Sequence, residues 1–162
     1  MKYLKQIALI FFLGSLTAFT FDKPCGETPE LNKKVIAFVK ANMKKQVAKG
    51  ECWDVAAGAL NEATAKWDGN YKFGKEVDYK KVCIFPGDIV QFEGVELQYN
   101  IEDAVFFETL THHTAIIYEV KSKGDFIIAD QNTKASGKVV NTHPFNVKWI
   151  TKGKFKIFRP EK

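Results

Sequence analysis

The sequence predicts an α+β domain in which N-terminal helices pack on an antiparallel β-sheet. Between residues 28 and 67, apolar residues recur every three or four positions, which is typical of one face of a helix. From residue 85 onward, short runs of β-branched and aromatic residues are divided by Gly, Pro, Asn and Asp, as in strands joined by turns. Helices followed by a run of strands indicate the α+β class. The length of 162 residues, 46% of them hydrophobic, is enough for the core of one domain.

The first 20 residues are predicted to be a signal peptide. Lys2 and Lys5 precede the apolar run IALIFFLGSLTAF, which is short for a membrane span and is followed by small residues suited to cleavage. We therefore expect residues 21–162 to form the domain and the mature protein to be secreted or periplasmic, with no stable membrane insertion. The formal net charge of +5 would fall with the loss of the two lysines. Because the positive net charge is small, the protein is not expected to bind nucleic acid.

Two helices are predicted before the sheet. The sequence Thr-Pro-Glu at residues 28–30 supplies a hydroxyl cap, a proline at the first helical position and an acid in the first turn. Gly50 can end this helix. A second helix is predicted from Cys52 to Trp67, which puts Cys52 at a helix N-terminus on the inward side. The apolar stripe of the first helix consists of Leu31, Val35, Phe38, Val39, Met43 and Val47.

Five later segments are predicted to be antiparallel strands. Each is a short apolar or aromatic run bounded by turn-forming residues. Residues 94–111 are expected to form the longest loop. The segments are FPGDIVQFEGVEL, THHTAIIYEV, GDFIIADQN, GKVVNTHPF and GKFKIFRP.

The mature chain contains an odd number of cysteines, Cys25, Cys52 and Cys83. In an oxidising compartment, Cys25 in the N-terminal lead-in and Cys83 before a strand can form a disulfide and leave Cys52 free. The alternative, that none of the three pairs, stays open. A free cysteine usually packs as a small hydrophobic residue, so Cys52 alone does not indicate catalysis.

The surroundings of Cys52 indicate a nucleophile. A helix N-terminus stabilises a thiolate, whereas the neighbouring carboxylate of Glu51 disfavours it unless that side chain points away. A cysteine nucleophile also needs a base, preferably a histidine held by a third polar group. His113 opens the strand HTAII, and Asp130 and Asn132 end the next strand. Because residues two apart on a strand share a face, both are expected to approach His113.

The order of the segments GECWD, PGDIVQF, HHTAIIYEV, IIADQN and FKIFRP resembles the CHAP-type amidases and peptidases. These belong to the papain-like superfamily, together with the NlpC-like cell-wall hydrolases, and the resemblance covers nearly the whole mature chain. It implies a papain-like fold, Cys52 as nucleophile, His113 as base, and Asp130 and Asn132 as the groups that orient the imidazole. PGDIV is a structural marker of the family. The chain differs where the family commonly has glutamine, at Glu51, and where it commonly has glutamate, at Asp130.

The resemblance implies a secreted cysteine amidase or peptidase that acts on amide bonds in a peptide or, most naturally, in peptidoglycan. No cofactor is expected, and no metal either, because the histidines and cysteines lack the spacing of zinc ligands. The segments HHTAIIYEV and DQN also resemble uncharacterised cysteine-proteinase-like domains attached to fungal cytoskeletal proteins, for which no catalysis is implied. The second hypothesis is therefore a papain-fold module that binds a partner without turnover, and Glu51 favours it.

Overall fold

A computed structural model describes residues 25–134 and 136–162. The predicted signal peptide, residues 1–20, lies outside them. Within these ranges no helix combines the length and the apolar character needed to cross a membrane. In chain order, the elements are α1 (Glu30–Ala41), α2 (Asp54–Glu62), β1 (Lys75–Val77), β2 (Ile89–Ile101), β3 (Ala104–Ser122), β4 (Asp125–Asp130), β5 (Asn141–Asn146), a 3-10 helix (Val147–Trp149) and β6 (Ile150–Arg159).

The six strands form one antiparallel sheet with helices on a single face. The strand order is β1-β6-β2-β3-β4-β5, so β1 and β5 are the edges. The opposite face carries a second apolar cluster that includes Phe92, Phe126 and Phe145. The predicted α+β class is confirmed. The helices pack against the strand residues Ile89, Ile116, Ala129 and Phe158.

The first helix is shorter than predicted. It ends at Ala41, and it begins without a side-chain cap because Pro29, rather than the preceding threonine, is the N-cap residue. Lys44 has a left-handed backbone conformation (φ 62°), and its N–H donates to the Val140 carbonyl at 2.8 Å. Val47 is nevertheless buried in the same core. The apolar stripe therefore continues beyond the helix because the following segment packs on the same surface.

The second helix is also shorter than predicted. It starts at Asp54, so that Cys52 lies in the turn before it, and it ends at Glu62. Thr64 then adopts a left-handed conformation (φ 54°), which interrupts the helix well before Trp67.

The expectation of a long loop at residues 94–111 is wrong. β2 and β3 continue through this region and pair up to Ile101 and Ala104, which leaves a two-residue turn. Glu102 in that turn has a φ of 53°. Inward-facing Val95 and Leu97 are buried, and burial of this apolar face stabilises the longer hairpin.

The PGDIV segment ties α1 to the sheet. Gly87 has a φ of 88°, and a Cβ atom there would collide with the Asn32 carbonyl of α1. The buried Asp88 carboxylate accepts hydrogen bonds from the side chains of Asn32 at 2.8 Å and Arg159 at 2.7 Å, and from the Phe85 N–H at 3.0 Å. These contacts join α1, β6 and the start of β2, which is a structural role.

Candidate active site

The turn that carries Cys52 is held by the first residue of α2. The Asp54 Oδ2 atom accepts hydrogen bonds from the N–H groups of Lys49 at 3.0 Å and Glu51 at 2.9 Å. Cys52 is a free, partly exposed cysteine, and its Sγ atom lies 3.8 Å from the His112 carbonyl oxygen of β3. The turn thus presents the thiol to the middle of the sheet.

Gln131 fixes the same turn from the opposite side. Its buried amide donates to the carbonyls of Val47 at 3.0 Å and Glu51 at 2.8 Å, and it accepts from the Val47 N–H at 3.1 Å. The sequence motifs do not point to this residue. A glutamine directly after a buried strand is the only signal that the sequence offers for it.

His113 and Asp130 meet in the core between β3 and β4. The His113 Nε2 atom lies 2.9 Å from Asp130 Oδ2. Asp130 is fully buried, His113 is 5% exposed, and the imidazole stacks on Phe92 with 6.2 Å between ring centres. The structure therefore pairs His113 with Asp130 and places the Cys52 thiol against the preceding residue of β3, so three of the four predicted site residues lie in one region.

The electrostatics of the pair favour a thiolate beside an imidazolium. Burial by itself raises the pKa of the Cys52 thiol, but a hydrogen bond from His113, the backbone amides of Thr114 and Trp53, and the His113 charge lower this pKa overall. Burial lowers the pKa of His113, but hydrogen bonds and charge from Asp130 and Cys52 raise this pKa from 6.5 to about 9. Each group thus stabilises the charged form of the other.

Among the described residues, no hydrogen bond joins Asn132 to His113, although both were expected to meet. β4 ends at Asp130, and Asn132 has a left-handed backbone (φ 65°), so the two side chains do not share a strand face. The Asn132 amide donates instead to the Glu51 carboxylate at 3.0 Å, and the Lys138 ammonium lies 3.8 Å from the same carboxylate. The charge of Glu51 is therefore partly balanced beside the thiol.

His143 is a site residue that sequence analysis missed. It lies on the edge strand β5 opposite Ile128, and its Nε2 atom is 2.9 Å from Asp130 Oδ2. The pairing of β4 with β5 brings it there, since a residue diagonal to Asp130 on the next strand lies on the same face. The sequence shows the histidine but not this register.

The remaining histidine, His112, faces a different set of groups. Its Nδ1 atom lies 2.8 Å from the Glu93 carboxylate, and its ring meets the Tyr71 ring edge-on at 4.1 Å. In the part of the chain that the structure describes, no three histidine, cysteine, aspartate or glutamate side chains are grouped to hold a metal ion. Chemically, the arrangement offers a nucleophilic thiol, a proton carrier and a buried carboxylate.

Comparison with known proteins gives one result. A family model described as the AIM3/BBC1 cysteine proteinase-fold domain matches residues 29–162. The match covers both helices and all six strands. It confirms the cysteine-proteinase fold and does not single out the CHAP-type amidases. Neither the curated proteins nor the solved structures gave a match.

Proposed function

We propose that this chain, which belongs to the AIM3/BBC1 cysteine proteinase-fold domain family, is a cysteine-dependent hydrolase of amide bonds. The observation that carries the proposal is the free Cys52 thiol, which lies against the β3 backbone at His112, directly before the buried His113 that is hydrogen-bonded to a buried Asp130. The lowered pKa of Cys52 and the raised pKa of His113 favour the reactive ion pair at neutral pH.

In the proposed reaction, the Cys52 thiolate attacks the carbonyl carbon of the substrate, and the Cys52 backbone N–H donates to the oxyanion. Since Asp130 occupies the Nε2 atom of His113, the Nδ1 atom exchanges the proton. The imidazolium protonates the leaving amine as the C–N bond breaks, which leaves a thioester. Water, deprotonated by His113, then hydrolyses the thioester and restores the thiol.

The proposed substrates are amide bonds of peptides, with peptidoglycan as the first to be tested. The resemblance of the segment order to the CHAP-type amidases supports this choice. We also propose that the protein is secreted or periplasmic. The disulfide between Cys25 and Cys83 supports export, since disulfides persist in oxidising compartments.

Two measurements test the hydrolase proposal. The first is the rate at which iodoacetamide alkylates Cys52 at neutral pH, which should exceed that of a small thiol with a pKa of about 8.5. His113→Ala should slow this reaction about tenfold or more. His112→Ala, the neighbouring histidine that pairs with Glu93, is the matched control and should react as the wild type does.

The second measurement is product release. Wild-type protein and Cys52→Ala are incubated with purified peptidoglycan and with an unfolded protein, and soluble fragments are analysed by mass. New amine termini should form with the wild type only. Alkylation no faster than that of a small thiol, together with no fragments from either substrate, would contradict the proposal.

Glu51 favours a second candidate, a module that binds a partner without turnover. A carboxylate can only accept hydrogen bonds, so it cannot assist an oxyanion as an amide would. If the domain is a hydrolase, Glu51→Gln should raise turnover, up to about 100-fold for a well-placed donor. Glu51→Ala, which removes the charge without adding a hydrogen-bond donor, should raise turnover by less. No turnover in any of the three proteins would favour the binding module.

A further inference from the structure

One carboxylate oxygen in the core is shared by two imidazoles. The Nε2 atoms of His113 and His143 each lie 2.9 Å from Asp130 Oδ2. An ionised carboxylate only accepts hydrogen bonds, so both rings direct an N–H at the same atom. The other oxygen, Oδ1, has a longer contact of 3.4 Å with the Ser136 hydroxyl. Asp130 is thus held mainly by the two histidines.

His143 differs from His113 in its access to water. Its side chain is 26% exposed, whereas that of His113 is 7% exposed and that of Asp130 is fully buried. It comes from the edge strand β5, on the side of β4 away from β3. Solvent can therefore exchange protons with the His143 ring more readily than with the His113 ring.

We propose that His143 is a positioning residue, which holds the Asp130 carboxylate in place for His113 and, through its own charge, sets how tightly His113 holds a proton. The effect on His113 is a property of the folded protein. Only the consequence for turnover rests on the proposed hydrolase function.

The direction of the effect follows from the shared oxygen. Each N–H that donates to a carboxylate stabilises its negative charge and so weakens its attraction for the other imidazolium. When His143 binds a second proton at Nδ1, it also repels the proton on His113. Both effects act in the same direction. Removing His143 should therefore make His113 hold its proton more tightly.

The charged groups that act on His143 come from two strands. Burial lowers the pKa of His143, but the hydrogen bond and charge of Asp130 on β4 and the charge of Glu108 on β3 raise this pKa above its ordinary value overall. His113 and His143 thus compete for protons around one carboxylate, so their titrations are linked. In the proposed reaction, a protonated His143 makes His113 a stronger acid toward the leaving amine.

The experiment follows the ring proton signals of His113 by NMR across a pH series in the free protein. Two variants are compared with the wild type. His143→Phe removes both the donor and the charge, and should raise the His113 midpoint by about half a pH unit or more. His143→Gln keeps an N–H donor without a titrating charge, and should give a smaller rise. His112→Gln is the control and should leave the midpoint unchanged.

Alkylation of Cys52 gives the second readout. His143→Phe should slow it about tenfold, because Asp130, although still paired with His113, is no longer held by a second donor and orients the ring toward the thiol less precisely. His143→Gln should restore the rate to within about twofold of the wild type. A purely structural role would lower the thermal midpoint of both variants without moving the His113 midpoint.

An unchanged His113 midpoint in folded His143→Gln and His143→Phe proteins would overturn the inference. If His143→Phe does not fold, as judged by circular dichroism, the midpoint in His143→Gln decides alone. An unreactive Cys52 in the wild type, together with no fragments from either substrate, would refute the proposed function, whereas the NMR midpoints would still decide the role of His143.

Discussion

The reactivity of Cys52 depends on three residues that lie outside its own turn. Gln131, which follows β4, fixes the turn before α2, β3 supplies His113, and β4 supplies Asp130. Each of these contacts is short and shielded from water, so the charges act more strongly than on a surface. Replacing one residue should therefore change the protonation of its neighbours as well as the local contact.

Asp130→Asn tests this coupling. Loss of the carboxylate charge makes the imidazolium less stable, so the pKa of His113 should fall from about 9 by about one unit or more. Ring titration by NMR measures the shift. Asp125→Asn, at the far end of the same strand, removes an equal charge and should leave His113 unchanged. Equal shifts in the two variants would contradict a specific role for Asp130.

The same raised pKa predicts how stability varies with pH. His113 holds its proton more tightly in the folded protein than in the unfolded chain. Its contribution to the free energy of unfolding is therefore complete below about pH 6.5 and is lost as the pH rises toward about 9. Between these values, the free energy of unfolding of the wild type should decline more steeply than that of Asp130→Asn. Urea unfolding at several pH values measures both slopes. Parallel slopes would mean that Asp130 does not raise the pKa of His113.

Part of the site could be predicted because its signals are local. Cys52 precedes an apolar helix stripe, and His113 and Asp130 lie in strands with clear β patterns. His143 could not be predicted in the same way, because its role depends on the register between β4 and β5. Asn132 was misplaced because the strand ends at Asp130, where the backbone turns into a left-handed conformation.

The elements were predictable in kind and less so in extent. Apolar periodicity reports which residues face the core, and Val47 faces it although it follows the end of α1. The β2–β3 hairpin was missed because its turn, Glu102–Asp103, lacks the glycine or asparagine that usually marks a two-residue turn. Local sequence therefore indicated burial correctly, while tertiary pairing decided where each element stops.

The close approach of α1 to the PGDIV segment gives a prediction about this loop. Gly87→Ala adds a Cβ atom against the Asn32 backbone at a positive φ, so it should lower the free energy of unfolding by more than about 1 kcal/mol. Gly69→Ala is the matched control, since it has a φ of 73° but no atom within 4 Å of the added Cβ. Urea unfolding compares the two. Equal decreases in the free energy of unfolding would mean that α1 does not pack tightly against Gly87.

For the whole molecule, the Cys25–Cys83 disulfide links the start of the domain to the segment before β2 across 58 residues. Closing a loop of this length contributes about 4 kcal/mol in the chain-entropy model. Replacing both cysteines by serine should therefore lower the urea midpoint, whereas Cys52→Ser should change it little. Mass mapping of the unreduced protein should show one bridge and a free Cys52. A bridge that contains Cys52 would contradict both the pairing and the proposed nucleophile.

The two edges of the sheet bear on how copies of this protein meet one another. β1 is only three residues long and begins with the exposed pair Lys75 and Glu76. β5 contains the exposed Pro144, which has no N–H to donate. Short, charged or proline-containing edge strands present few unpaired backbone groups with which a strand of another chain could form hydrogen bonds. The folded domain should therefore resist strand-to-strand aggregation at the high concentrations used for NMR and crystallisation.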